Sequence, residues 1–208
     1  MLKELKNKKG FTLIELLAAI VILGVLMMVA IPAMTKYIEN AKRDVFADTA
    51  KKYIAAVRYS MLSNSYECKV DSTSGADIRY SCGLADLDAD ASLYLIVPAS
   101  LIDVENETKT SPWGKPFNGS TAYVLVKNVG DELAPKYEYY FAGVDTLGNG
   151  ISVITEETEI GRSSVRKSGV SIYNLNFENN NGIHTKFREY CEKHFGQNVN
   201  LKFVAGVK

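Results

Sequence analysis

The chain has 208 residues, and its 24 lysines and arginines are matched by 24 aspartates and glutamates. That length allows one or two domains, the apolar and charged fractions are those of a folded protein, and the zero balance argues against a general nucleic-acid binder. The balance hides an asymmetry: residues 1–10 hold Lys3, Lys6, Lys8 and Lys9 against Glu4, a net of +3 that leaves the remainder at −3.

The first element follows this basic leader. Leu16 to Thr35 (LLAAIVILGVLMMVAIPAMT) has no charged residue, and with Phe11 to Ile14 the apolar run reaches about 24 residues, Glu15 being its only charge. At 1.5 Å per residue such a helix spans a hydrocarbon core of ~30 Å. The lysines ahead of it predict a cytoplasmic N-terminus and an outward C-terminus. A buried helix of a soluble protein with no polar face over this length would be unusual. A secretory signal would end in a small-x-small cleavage site, but such spacing is poor beyond Met34 and the run passes directly into another helical pattern.

Glu15 invites two readings. A carboxylate at the centre of an apolar segment costs roughly 2.5–3.5 kcal/mol, less near an end where it can snorkel. It is therefore a tolerated interfacial charge, or it awaits a cation. A cut after Gly10 would give Phe11 a free amine four residues from Glu15. Paired with the Glu15 of a neighbouring copy, that amine would satisfy both charges and fix an axial register.

The segment Lys8-Lys9-Gly10-Phe11-Thr12-Leu13-Ile14-Glu15-Leu16 closely resembles the signature of type IV pilins and type II secretion pseudopilins. The resemblance covers the chain to about residue 60. It implies cleavage after Gly10 by a prepilin peptidase, N-methylation of Phe11, and passage from membrane lipid, through a membrane assembly platform, into a homo- or hetero-oligomeric filament. It also implies that the helix can curve or unwind near Gly24 and Pro32 as the subunit enters the filament. A bent anchor would account for the same two residues, since glycine weakens a helix and proline removes one of its hydrogen bonds.

Beyond Pro32 the pattern turns amphipathic: Phe46, Ala50, Tyr53, Ile54, Val57 and Met61 recur at helical spacing among charged residues. Residues 11–62 can form one helix of about 78 Å. Arg43, Asp44 and Asp48 lie on it either as a solvated face or as intersubunit ion pairs. Residues 63–91, with SNS, DSTSG and DLDADA tracts, read as a loop similar to the variable helix-to-sheet connection of pilins. Cys68 and Cys82 fall in it, either as a disulfide worth roughly 3 kcal/mol or as two thiols. Cys191 stands alone in a charged segment, left as a thiol or paired with either of the others.

Strands are predicted at Leu93–Val97, Ala122–Lys127, Tyr137–Val144, Ile151–Thr155, Val170–Leu175 and Asn200–Val204, with a hairpin turn at Asp145-Thr-Leu-Gly-Asn-Gly150. A short helix is predicted at Ile183–Phe195. The Ser111-Pro-Trp-Gly-Lys-Pro-Phe117 segment predicts a rigid turn with Trp113 plugging the core. It resembles the Pro-Trp-Gly-x-Pro segment of major pseudopilins, although the added length and paired cysteines depart from that compact pattern. The expected architecture is α+β and pilin-like: leader 1–10, transmembrane half-helix 11–35, amphipathic half-helix 36–62, and an extracytoplasmic domain 63–208 with an antiparallel sheet against the helix.

No phosphate loop, nucleophile elbow or metal-ligand helix is present in the sequence, and no cofactor or metal is expected. Asp86, Asp88 and Asp90 alternate like calcium ligands but lack the glycine and distal glutamate of an EF-hand, so a solvated acidic loop is the plainer reading. Arg162, Arg166 and Lys167 form a modest basic cluster, a solvated loop unless the protein serves DNA uptake. His184, Cys191 and an acid are a weak basis for a hydrolase. The expected function is a structural subunit of a type IV pilus or pilus-like filament, first in the inner or cytoplasmic membrane and then at the cell surface. A pseudopilin of a type II secretion or competence system is the alternative, and a membrane-anchored domain that never assembles is a third reading.

Overall fold

The computed structural model describes residues 10–63, 66–69, 79–90, 92–102, 104, 110–131, 133–167, 185–196 and 200–207. They divide into two units, one ending at Ala41 and one beginning at Lys42. The first unit is the leading part of helix α1 (Leu13–Leu62), whose leucine, isoleucine, valine and methionine side chains are exposed. This is the one described helix long and apolar enough to cross a membrane by length and composition. Among the described residues no core covers this apolar surface, which a bilayer or another protein surface would favourably surround.

The second unit begins with the remainder of α1. Phe46, Ala50, Tyr53, Ile54, Val57 and Met61 are buried here, the same face that the sequence period marks. They pack on a seven-stranded sheet in the order β2-β1-β7-β3-β4-β5-β6. Its strands are β1 (Tyr66–Lys69), β2 (Arg79–Cys82), β3 (Leu93–Pro98), β4 (Phe117–Asn128), β5 (Tyr137–Asp145), β6 (Gly150–Glu156) and β7 (Asn200–Val207).

Alternation along the central strands explains why both sheet faces are dry. Leu93, Leu95, Val97, Val124 and Val126 join the α1-side core. Tyr94, Ile96, Tyr123 and Leu125 join a second core with Cys191, against which Phe195 also packs; both belong to helix α3 (Thr185–Phe195). The Phe195 ring lies 4.5 Å from that of Tyr94 and 5.0 Å from that of Tyr140. Each fully buried large side chain contributes about 1.5–3 kcal/mol.

The sheet departs from the expected antiparallel pattern at one pair. β7 runs parallel to β3, from Leu93↔Asn200 to Ile96↔Phe203, then antiparallel to β1 through Cys68↔Val204 and Tyr66↔Val207. The C-terminal strand thereby joins the β1–β2 pair to the other strands.

Residues 63–91 also depart from the expected loop. They contain β1, β2 and helix α2 (Leu84–Ala89). Four-residue strands such as Tyr-Glu-Cys-Lys have little periodicity to reveal them; pairing with β7 and with each other makes them strands. The predicted strand at Val170–Leu175 lies outside the described residues, as does His184.

Candidate assembly site

Gly10 and Phe11 precede α1 in open surroundings. A Cβ built on Gly10 would meet nothing within 4 Å, and Phe11 is 91% exposed.

Thr12 and Glu15 form a reciprocal cap at the helix start. The Thr12 N–H and hydroxyl each donate to Glu15 Oε2 at 2.8 Å, and the Glu15 N–H donates to Thr12 Oγ1 at 3.4 Å. This is a capping box, which provides partners for amide donors that the first helical turn otherwise leaves unmet. Its Thr-x-x-Glu signature stands in the sequence, where the apolar setting of Glu15 drew attention to charge instead. Both bonds to the carboxylate go to one oxygen, so capping and recognition of a cation are compatible demands on the same side chain.

Gly24 has nothing within 4 Å of a built Cβ, and α1 runs unbroken through it and through Pro32. Pro32 has no N–H to donate to the carbonyl one turn earlier. Just beyond, the Thr35 hydroxyl donates to the Ile31 carbonyl at 2.9 Å.

In the second unit, a segment after β6 is strapped along α1. Arg58 pairs with Glu157 and lies 4.5 Å from the centre of the Tyr139 ring. Arg162 grips Asp44 with two nitrogens, one bond at 2.8 Å. That hydrogen bond and the guanidinium charge hold the Asp44 carboxyl below its usual range. Asp44 is thus engaged within its own chain, and so is the first residue of the basic cluster.

The Ser111–Phe117 turn is anchored in the core. Gly114 adopts φ +75°, the Gly114 N–H donates to the Ser111 carbonyl at 2.8 Å, and the Trp113 ring lies 5.9 Å from Phe46. Beneath it, the buried Asp145 accepts hydrogen bonds from the Ser111 hydroxyl at 2.6 Å, from the N–H groups of Leu147 and Asn149 at 2.9 Å each, and from the Asn149 amide. Burial alone would raise the Asp145 carboxyl, but these donors together outweigh it and hold the group below its ordinary value of 3.8. Gly150 closes the hairpin where a Cβ would stand 2.6 Å from Phe46 Cζ.

Cys68 and Cys82 are bonded to each other across β1 and β2, 14 residues apart. Cys191 is a fully buried thiol. The three alternating aspartates are neither a solvated loop nor a ligand set. Asp86 accepts from the Gly83 N–H at 3.0 Å to cap α2, Asp88 accepts from Asn128 and Tyr137, and Asp90 accepts from Ser92 and Asn200. Among the described residues, no three His, Cys, Asp or Glu side chains gather around a common point.

Residues 5–31 match the family model of the prokaryotic N-terminal methylation motif. This is the signal motif of type IV pilins and pseudopilins, and in this chain it runs into the long apolar helix α1, which leads on to an α+β unit of pilin-like kind. No curated protein and no solved structure matches the chain.

Proposed function

We propose that the chain is a structural, non-enzymatic subunit of a type IV pilus or pilus-like filament. A prepilin peptidase cuts it after Gly10, Phe11 is N-methylated, and an assembly platform draws it out of the membrane. The leader lies in the cytoplasm and the sheet-bearing unit outside. The observation that carries this reading is the methylation motif at residues 5–31 with Glu15 at the start of an apolar helix. Glu15 would accept the Phe11 amine of a neighbouring copy, and Gly24 and Pro32 would let the helix adapt as it enters the filament.

The Pro112-Trp113-Gly114 turn on Phe46 favours a second reading, a pseudopilin of a type II secretion or competence system. Both readings require the same processing. Mass spectrometry of the surface form should find an N-terminus at Phe11 with one added methyl group. A surface form beginning at Met1 or Leu2 would overturn both.

A further inference from the structure

Asparagine followed by glycine is a chemically weak step in a polypeptide. The glycine nitrogen, unscreened by a side chain, can attack the asparagine side-chain carbonyl, expel ammonia and close a succinimide, which water then opens to aspartate or isoaspartate. The hairpin between β5 and β6 turns on such a step, Asn149-Gly150. Three features of its surroundings oppose the attack. The Asn149 side chain is buried, 3% exposed, which keeps water from it. Its amide nitrogen donates to both oxygens of Asp145, at 3.1 and 2.9 Å, so the carboxamide is held toward that carboxylate. The Gly150 N–H must lose its proton before the nitrogen can attack, and it donates to the Arg166 carbonyl at 2.9 Å, while the Arg166 N–H donates back to the Gly150 carbonyl at 2.8 Å.

We infer that Asn149-Gly150 is a self-modification site held closed by its own surroundings, with the Asp145 carboxylate as the lock. Attack builds negative charge on the Asn149 side-chain oxygen. Hydrogen-bond donors would stabilise that charge, whereas an anion already beside the carboxamide opposes it. In the reaction the bond from the Gly150 nitrogen to Asn149 Cγ forms and the Cγ–Nδ2 bond breaks. The Gly150 proton leaves with that nitrogen as ammonia, and one water opens the ring. Opened at Cγ, the ring leaves an aspartate facing Asp145 where N–H donors stood, and two carboxylates in a buried site oppose each other's ionisation. Opened at the main-chain carbonyl, it leaves isoaspartate, which threads an extra methylene through the turn. Little room exists for it: at the adjoining Gly150 even a Cβ would stand 2.3 Å from the Gly143 carbonyl oxygen and 2.6 Å from Phe46 Cζ. Either product would loosen the hairpin that Phe46 and the Ser111 hydroxyl contact.

Peptide mapping of the full chain in detergent tests this. Wild type, Asp145→Asn and a Cys68→Ser/Cys82→Ser variant are held in mildly alkaline buffer below their melting temperatures. Conversion at residue 149 is read by mass spectrometry as exchange of amide for acid, and by labelling with an isoaspartyl methyltransferase. Mapping separates it from Asn118-Gly119 and Asn181-Gly182, the other such steps in the sequence. A free peptide of residues 147–152 sets the unlocked rate. Wild type should convert many-fold more slowly than the peptide, and Asp145→Asn should approach the peptide. The cysteine variant is altered at the opposite end of the sheet from β6 and should stay as slow as wild type. Should Asp145→Asn fail to fold, Asp145→Glu displaces the same carboxylate and should also convert faster than wild type. Wild type converting as fast as the peptide, or a folded Asp145 variant converting no faster than wild type, would overturn the lock. So would a cysteine variant as fast as Asp145→Asn, because general opening of the fold would then set the rate.

Discussion

The cap that Glu15 makes with Thr12 and the assembly role proposed for it can be separated by one substitution series. Replacement by leucine removes both the charge and the capping acceptor; replacement by glutamine removes the charge and keeps an acceptor for Thr12. Losing the cap costs about 1 kcal/mol, modest for a helix of 50 residues. Membrane insertion should not suffer, because a carboxylate in an apolar segment opposes it by as much as roughly 3 kcal/mol. Assembly should suffer in both variants. An amine left without its partner in an apolar interface costs about 3–5 kcal/mol, a factor of about a hundred to several thousand in each subunit contact. The assay is membrane fractionation beside filament yield by electron microscopy. Both variants are expected in the membrane at wild-type amounts, with filaments nearly absent. Wild-type filament yield from Glu15→Gln would refute the reasoning and leave the capping box as the whole function of Glu15.

Two further predictions concern the second unit. Asp145→Asn should destabilise the full chain in detergent by about 2–4 kcal/mol, since buried donors lose a charged acceptor. Because the Asp145 carboxyl is held below 3.8, its contribution is complete above that pH and lost as the pH falls through the depressed value. The difference in melting temperature between wild type and variant should therefore shrink below about pH 4; a difference constant to pH 2 would contradict the assignment. Replacing Cys68 and Cys82 by serine should cost roughly 3 kcal/mol for the released loop, read as a lower midpoint of chemical unfolding. An unchanged midpoint would show that the β1–β2 edge holds together without the bond.

The local patterns were the legible ones. The apolar run, the amphipathic face from Phe46 to Met61 and the hairpin around Asp145 to Gly150 are each written in contiguous residues, and α1, β5 and β6 lie at those places. What stayed hidden depends on residues far apart in the chain. Nothing local announces that Asn200 runs parallel beside Leu93, or that Asp44 is taken by Arg162. The short strands at Tyr66 and Arg79 exist because β7 and the Cys68–Cys82 bond give them partners. The alternation of Asp86, Asp88 and Asp90 misled for the opposite reason. It reads as one solvated acidic loop, whereas a helix cap and two separate side-chain networks divide the three carboxylates.

On the proposed filament reading, the Thr12–Glu15 cap changes what cleavage would accomplish. While Gly10 is still attached, the residue at position 11 contributes an ordinary amide, and Glu15 already serves a purpose by accepting from Thr12. The carboxylate therefore reaches the membrane oriented and partly neutralised by hydrogen bonds instead of bare, which lowers the cost of holding it there. Cutting the Gly10–Phe11 bond adds a cation beside a helix N-terminus, where the macrodipole already favours negative charge and disfavours positive. The new amine is thus destabilised on its own helix and favoured beside a carboxylate. The Glu15 of a neighbouring copy, capped by its own Thr12 through Oε2, would keep its other oxygen for that amine. Processing would then supply the drive toward that contact, and the cap would keep that drive silent until the leader is gone.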